Sequence, residues 1–201
     1  MPATATAPPP RAVNAAGPRL LTVADLAVLP GELPSGPVRY ELNNGILVIM
    51  PPPGDIHGAA QVNIGSALKV QGDDKGLGKA RGEVGVVLWR NPDRVVAPDA
   101  LFVAAASLPI RVSEHGGYLE TIPDLVAEVR SPNDTATEVR NKVNDYLAAG
   151  VRVVWVADPA AATVTVYRVR QSPQVLGADD ELTVEDVIPG FRMPVRDVFR
   201  T

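Results

Sequence analysis

Residues 123–159 read P-D-L-V-A-E-V-R-S-P-N-D-T-A-T-E-V-R-N-K-V-N-D-Y-L-A-A-G-V-R-V-V-W-V-A-D-P, which predicts a strand, a helix and a second strand. The apolar runs at 125–129 and 151–156 have strand length and are rich in β-branched residues. Polar residues at 133–135 can cap the helix between them, and Gly150 can end it in the left-handed conformation. The stretch therefore predicts one βαβ-like unit.

A lysine lies in the middle of the apolar face of this predicted helix. At 100° per residue, the face is formed by Val139, Val143, Tyr146 and Leu147, and Lys142 falls between them. The flank expected to face solvent carries Arg140, Asn141, Asn144 and Asp145. A lysine that faces a sheet is costly unless an anion pairs with it, and Glu128 is a candidate anion. A snorkelling lysine beside a carboxylate at a strand end would give the same pattern without any function.

Bulk composition is that of an ordinary folded protein. The 201 residues favour one domain, with 46% hydrophobic and 21% charged residues. The absence of cysteine excludes disulfides and thiolate metal sites. The chain has only two histidines, which argues against a histidine-rich zinc site. A net charge of −4 argues against a basic nucleic-acid coat, but not against a nuclease whose acidic residues hold a metal.

The ends of the chain carry few functional signals. Residues 1–18 are mostly Ala, Pro and Thr, which predicts a disordered tail ahead of a single folded domain at 19–201. No secretory signal and no apolar run of transmembrane length is visible. The sequence therefore predicts a cytoplasmic protein that has no membrane partner.

The remaining segments predict more strands than helices. Expected elements are a short helix capped by Thr22, a β-hairpin at 38–50, a helix from His57 to Val70 with Asp55 as a possible cap, a polar turn at 71–82, and strands at 83–89 and 94–103. The Asn44-Gly45 pair supplies the positive φ angles of a tight hairpin turn. This pattern predicts an α/β (α+β) fold in which one mixed β-sheet is flanked by helices and preceded by an N-terminal β-hairpin.

Two familiar kinds of site are disfavoured. The glycine-rich segment at 72–79 lacks the spacing of a phosphate-binding loop, which argues against a nucleotide-binding enzyme. No serine stands in a nucleophile elbow. His57 follows a proline–glycine turn, and a lone histidine there is more typical of a cap or a packing residue.

The stronger constellation is acidic. Asp99 and Glu128 each stand within an apolar predicted strand, where buried like charges raise each other's pKa. A hard divalent cation removes that cost, because carboxylate and carbonyl oxygens suit Mg²⁺. Lys142 adds positive charge on the same face. Carboxylates, a metal and a lysine are together what phosphodiester hydrolysis requires.

At these residues the chain resembles a known family. Pro98-Asp99 followed by Glu128-Val129-Arg130 resembles the PD-(D/E)XK nuclease motif, and the chain from about 21 to 199 resembles the Uma-type restriction endonucleases. The resemblance is carried by Y-E-L-N-N-G at 40–45, V-A-P-D at 96–99, P-D-L-V-A-E-V-R-S-P at 123–132 and A-A-G-V-R-V-V-W-V-A-D-P at 148–159. It implies a restriction-endonuclease-like core, DNA as partner, cleavage that depends on Mg²⁺ or Mn²⁺, and a homodimer, because cutting both strands usually needs two sites.

The resemblance also implies roles for individual residues. Asp99 and Glu128 would be metal ligands, with the main-chain carbonyl of Val129 as a third ligand. Glu41 matches a recurrent family position and would complete the metal shell. His57 matches another, and would contact phosphate or a water.

The chain departs from the motif at one position. The motif lysine should stand two residues after Glu128, where this chain has Arg130. Strand alternation directs both residues to one face, so Arg130 is expected to point into the site as a candidate catalytic residue. Arginine binds phosphate well but is a poor proton donor or acceptor. In this family the lysine moves to the following helix, which agrees with Lys142. The arginine and the acidic net charge leave a second hypothesis open, that of a catalytically degenerate nuclease fold used as a binding or assembly module.

Overall fold

The structure, a computed structural model, describes residues 19–50 and 52–201, and the tail predicted at 1–18 lies outside the described residues. The helices are α1 Val23–Leu26, α2 Asp55–Leu68, α3 Ala136–Ala149 and α4 Val195–Val198, with a π-helical turn at Lys69–Asp73 and a 3-10 turn at Ala105–Ser107. The strands are β1 Glu32–Leu33, β2 Gly36–Pro37, β3 Arg39–Asn43, β4 Ile46–Met50, β5 Gly78–Arg81, β6 Val86–Trp89, β7 Arg94–Val96, β8 Ala100–Ala104, β9 Leu125–Val129, β10 Val153–Asp158, β11 Thr163–Arg168, β12 Gln174–Leu176, β13 Glu181–Thr183 and β14 Arg192–Pro194.

The described residues form two main sheets. A six-stranded sheet has the order β12-β11-β10-β9-β8-β5, and a four-stranded sheet has the order β4-β3-β7-β6. Strands β9 and β10 run parallel while β8 and β9 run antiparallel, so the larger sheet is mixed, as predicted. The expectation of one sheet is wrong, because the predicted β3–β4 hairpin belongs to the smaller one. No helix in the described part of the chain is long and apolar enough to cross a membrane.

The βαβ unit predicted at 123–159 is confirmed as β9, α3 and β10. Thr135 caps α3 through a capping box with Glu138, in which each side chain binds the other residue's backbone N–H. Gly150 ends the helix at φ 109°, a conformation that favours glycine. These two ends fix the register of α3 over the sheet, and therefore the direction in which its lysine points.

The strand predicted at 94–103 is wrong as a single element. It divides into β7, in the small sheet, and β8, in the large sheet. Pro98 lies between them, and proline has no N–H to donate to a strand ladder. The division places Asp99 where the chain passes from one sheet to the other.

Two further predictions need correction. The polar turn predicted at 71–82 contains β5, in which Gly78 comes so close to Val103 that a Cβ would lie 2.2 Å from its carbonyl oxygen. The absence of a side chain at Gly78 therefore permits β5 to pair with β8. The polar, glycine-rich composition of 71–82 had predicted a turn instead of a strand. Helix α2 is capped by Gly54, and Asp55 is its first residue, where a carboxylate favours the helix dipole.

The core lies on both faces of the large sheet. One face packs against α2 and the C-terminal segment through residues that include Ile64, Phe102, Trp155 and Phe191. The other packs against α3 through residues that include Leu101, Val126, Val143, Tyr146 and Val154. Alternation along β9 puts residue 128 on the same face as 126. Glu128 therefore points toward α3.

Candidate active site

Lys142 joins the two sheets. Its Nζ lies 3.1 Å from Glu128 Oε2 on β9 and 3.0 Å from Glu41 Oε1 on β3, and its side chain is 21% exposed. The pairing with Glu128 predicted from the helical wheel is thus confirmed. Glu41, which is 5% exposed, brings a second buried carboxylate to the same ammonium group. Removing a lysine and two acids from water costs free energy. Their mutual attraction offsets this cost only while the lysine and both acids are present.

Asp99 lies close to Glu128, and its charge contributes to the raised pKa of Glu128. Strands β8 and β9 pair Ala100 with Ala127, so the next antiparallel step sets Asp99 opposite Glu128. The Asp99 carboxylate is 6% exposed and accepts the N–H of Val129 at 2.7 Å. The carboxylates of Asp99, just before β8, and of Glu128, within β9, therefore lie near each other.

Tyr146 holds the other oxygen of Glu128. Its hydroxyl donates a hydrogen bond to Glu128 Oε1, and its ring is fully buried. Burial and the nearby carboxylates raise the pKa of the hydroxyl well above its usual value, so Tyr146 remains a neutral donor. On the helical wheel of α3, Tyr146 belongs to the apolar face, although a buried tyrosine usually requires a partner for its O–H. Its position four residues after Lys142, on the same helical face, was the signal available in the sequence.

Arg94 is a site residue that the sequence analysis missed. From β7 its guanidinium donates to Asp145 Oδ2 at 2.7 Å and to the carbonyl of Leu42 at 3.0 Å, and it lies 3.6 Å from Glu41 Oε2. Asp145, expected on the solvent flank of α3, is half-buried and bound to this arginine instead. Arg94 thus supplies Glu41 with a second cation.

Replacing Arg94 with methionine is expected to lower the free energy of unfolding by about 3–5 kcal/mol, because Glu41 and Asp145 would lose a buried cation. Urea unfolding of both proteins at neutral pH measures the loss. The matched control is Arg19→Met, which removes an exposed pair with Asp25 and is expected to change the free energy by less than about 1 kcal/mol. Equal effects of the two substitutions would contradict this account of Arg94.

The two glutamates that share Lys142 have pKa values shifted in opposite directions. Burial raises the pKa of Glu128 to about 7, helped by the charges of Asp99 and Glu41 and opposed by Lys142. Burial also disfavours ionised Glu41, but Lys142, the Ala97 N–H and Arg94 together hold its pKa below the usual value. The pKa of Lys142 is raised, because its two carboxylates outweigh its burial. Such a separation is typical of sites in which two acids have different tasks.

His57 reaches the same cluster from the first turn of α2. Its Nε2 lies 3.4 Å from Asp99 Oδ2, and its side chain is 12% exposed. Burial lowers the pKa of the imidazole, but the Asp99 carboxylate more than offsets this, and the pKa is raised overall. Its buried Nδ1 has no hydrogen-bond partner within the described residues. The structure therefore places the His57 imidazole beside the Asp99 carboxylate.

Arg130 is engaged elsewhere among the described residues. Its guanidinium hydrogen-bonds to Asp158 on the adjacent strand β10 and to the backbone carbonyl of Asp134. Position 158 lies directly across from position 130 when the β9–β10 register is continued. The Asp158 carboxylate is therefore the nearest acid on the adjacent strand. The expectation that Arg130 points into the acidic cluster does not match this placement.

The donor chemistry of the cluster fits a hard divalent cation. Glu41, Asp99 and Glu128 supply carboxylate oxygens, the ligands that Mg²⁺ prefers. The described residues contain no group of three His, Cys, Asp or Glu already arranged around one metal position, and the ammonium of Lys142 is the cation between the two glutamates. Asp99 and Glu128 are the better-placed pair, because Glu41 is surrounded by Lys142, Arg94 and the Ala97 N–H.

Comparisons with known proteins agree with this architecture. The sequence model of the Uma2 family, described as "Putative restriction endonuclease", matches residues 25–196. The crystal structure of "a putative nuclease belonging to DUF820" from Anabaena variabilis ATCC 29413 is similar in fold, with a TM-score of 0.71 and 23% identity over 89% of this chain and 97% of that chain. The comparison with curated proteins gives no match. The family match covers most of the sequence, so the resemblance seen in the motifs is confirmed, and this chain belongs to the Uma2 family.

Proposed function

We propose that this protein is a metal-dependent endonuclease that hydrolyses phosphodiester bonds of DNA. The observation that carries the proposal is the buried contact of Lys142 with Glu128, opposite Asp99, at the junction of two sheets. A structural ion pair needs one acid, whereas this cluster gathers three acids and a histidine. The description of the family as restriction endonucleases supports the same reaction class.

Asp99, Glu128 and the main-chain carbonyl of Val129 are the groups that would hold Mg²⁺ or Mn²⁺. When bound, the ion would activate a water and neutralise charge on the phosphate. The Val129 N–H orients Asp99 by its hydrogen bond at 2.7 Å, and the Tyr146 hydroxyl orients Glu128. Hydrogen bonds of this kind restrict the rotamers of both carboxylates and would orient them as ligands.

Lys142 stabilises the negative charge that grows on the phosphate. Its ammonium can turn from Glu41 toward a phosphate oxygen because Arg94 continues to neutralise Glu41. A lysine that approaches a developing charge in a buried site supplies more stabilisation than it would in water. His57, which lies beside Asp99, would contact the phosphate or the attacking water.

Cleavage of supercoiled plasmid DNA tests the proposal. The wild-type protein with Mg²⁺ or Mn²⁺ is expected to cut, and Asp99→Ala, Glu128→Ala and Lys142→Ala are each expected to cut at least 100-fold more slowly, roughly the effect of removing one transition-state contact. A homodimer would give linear DNA directly, whereas a monomer would accumulate nicked circles. If the wild type cuts and all three variants cut equally well, this assignment of the active site is wrong.

One observation favours a second function, that of a binding or assembly module on a degenerate nuclease fold. The oxygens of Glu41 and Glu128 already contact Lys142, Arg94 and Tyr146. Such a satisfied network is stable without a metal. Titration calorimetry with Mg²⁺ separates the two functions, because a module takes up no metal while its thermal unfolding remains cooperative.

A further inference from the structure

A pocket beside the acidic cluster has no part in the chemistry described above. Its volume is about 220 Å³, and its lining residues are Pro37, Val38, Arg39, Pro52, Pro53 and Glu83. Pockets for whole drug-sized ligands occupy roughly 300–1,000 Å³. This one is therefore suited to a smaller group, and its proline-rich wall offers apolar contact to a flat ring.

One side of the pocket is polar. Arg39 Nη1 lies 2.9 Å from Glu83 Oε1, and Gln61 Nε2 donates to the same oxygen at 2.7 Å. A guanidinium has five N–H donors, and an amide has two donors and an acceptor. Because both side chains share one carboxylate oxygen, most of their hydrogen-bonding capacity remains for a ligand. Arg39 and Glu83, which line the pocket, can therefore donate to and accept from it, and Gln61 holds Glu83 in place.

Two of these residues share an element with a site residue. Arg39 precedes Glu41 by two positions on β3, so both side chains lie on one face of that strand, about 7 Å apart. Gln61 follows His57 by four positions on α2, so these two lie one helical turn apart. The pocket and the acidic cluster are therefore adjacent along two independent elements.

The third residue is tied to the cluster through the backbone. The N–H of Glu83 donates to the carbonyl of Pro98 at 3.2 Å, and Pro98 immediately precedes Asp99. Two separate chain segments thus place a lining residue next to a site residue, and α2 places Gln61, the partner of Glu83, one turn from His57. A ligand bound at the acidic cluster therefore reaches the pocket if it extends by the spacing of one or two residues along a strand.

We propose that this pocket binds one nucleobase of the cleaved DNA strand, next to the scissile phosphate. The prolines contact the ring face, Arg39 and Glu83 meet the polar edge of the base, and Gln61 orients the Glu83 carboxylate. Donors and an acceptor at one edge distinguish bases, because each base presents its own pattern. This inference rests on the proposed function and adds base preference to it.

Occupation of the pocket requires that the base leave the stack. Removing a base from a duplex is least costly where the base is mismatched or single-stranded. A mismatch at the pocket position should therefore accelerate cleavage, and an abasic site there should slow it. Neither effect is expected from a site that contacts only the DNA backbone.

Sequencing the ends of DNA cut from a randomised pool tests the proposal. The wild type is expected to show a base preference at one position flanking the cut, and Arg39→Ala and Gln61→Ala are expected to lose it. An abasic site at that position should raise KM about tenfold for the wild type and leave it unchanged for Arg39→Ala, since one base contact is lost in either case.

Arg192→Ala is the control, because it breaks an Arg–Glu pair with Glu181 that lies on the surface outside the pocket. It should retain the base preference. The proposal that the pocket binds a base would be contradicted if the wild type cut with random flanking bases. It would also be contradicted if Arg39→Ala retained the base preference. Fluorescence anisotropy without metal separates the two proposals. If the wild type does not cut, yet binds a mismatched oligonucleotide about tenfold tighter than Arg39→Ala, base binding by the pocket is supported and the nuclease proposal is contradicted.

Discussion

Replacing Lys142 with methionine is expected to reduce DNA cleavage by about 10²–10³-fold, the effect of removing one charged contact from a transition state. The same change should lower the free energy of unfolding by about 3 kcal/mol, the lower end of the range for a broken buried ion pair. The cost stays at the lower end because Arg94 still neutralises Glu41, and because Glu128 can take up a proton. Methionine preserves the length and the apolar stem of the side chain.

Arg140→Met is the control for this substitution. Arg140 lies on the exposed face of the same helix, with a long hydrogen bond of 3.5 Å to Thr137, so its loss should change the free energy of unfolding by less than about 1 kcal/mol and leave cleavage unchanged. Plasmid cleavage rates and urea unfolding at neutral pH measure both quantities. If Lys142→Met and Arg140→Met behaved alike, Lys142 would be a snorkelling lysine without a function.

The second large effect is a dependence of stability on pH. Folding raises the pKa of Glu128 from 4.5 to about 7, so the native state favours the protonated acid. The stabilisation from this residue is therefore complete below pH 4.5 and is lost as the pH rises through 7. The shift corresponds to about 3 kcal/mol. In the absence of divalent metal, the wild type should lose this amount relative to Glu128→Gln between pH 4.5 and 8.

Glu41→Gln provides the opposite comparison. Folding lowers the pKa of Glu41, so its contribution is present above pH 4.5 and is lost as the pH falls, on the acid side of the profile. Urea unfolding of the three proteins from pH 3 to 8 separates the two glutamates. Saturating Mg²⁺ should remove the loss attributed to Glu128, because a bound cation favours the ionised acid. Parallel profiles for the wild type and Glu128→Gln would contradict the burial described for this residue.

The βαβ unit and its lysine were readable from the sequence because they depend on local periodicity. The spacing of Val139, Val143 and Tyr146 defines a helical face whatever the rest of the chain does, and a charge within that face requires a partner. The polar residues at 133–135 and Gly150 marked the helix ends by residue type alone. Local rules therefore predicted both the element and its unusual residue.

The second sheet and Arg94 were not readable, because they depend on contacts between distant segments. The run from Arg94 to Val103 is mostly apolar, and periodicity does not show that Pro98 divides it between two sheets. Arg94 lies 52 positions from its acceptor Leu42 and 51 from Asp145. Asp145 looked exposed, since a helical wheel identifies the flank of a helix but not what packs against it.

The family resemblance supplied what periodicity lacked, and it also misled at one residue. It brought Glu41 and His57 to attention, and the structure places both beside the cluster. It also directed attention to Arg130, which stands where the motif has lysine. Asp158 on the neighbouring strand engages that guanidinium, an interaction that no motif reveals.

Anomalous diffraction from a crystal grown with saturating Mn²⁺ tests most directly whether these residues form a metal-assisted active site. We expect one ordered ion with ligand distances of about 2 Å to oxygens of Asp99 and Glu128, with the Lys142 ammonium turned toward the same position. A well-diffracting crystal with no anomalous peak between Asp99 and Glu128, and with Lys142 still bound between Glu41 and Glu128, would contradict it.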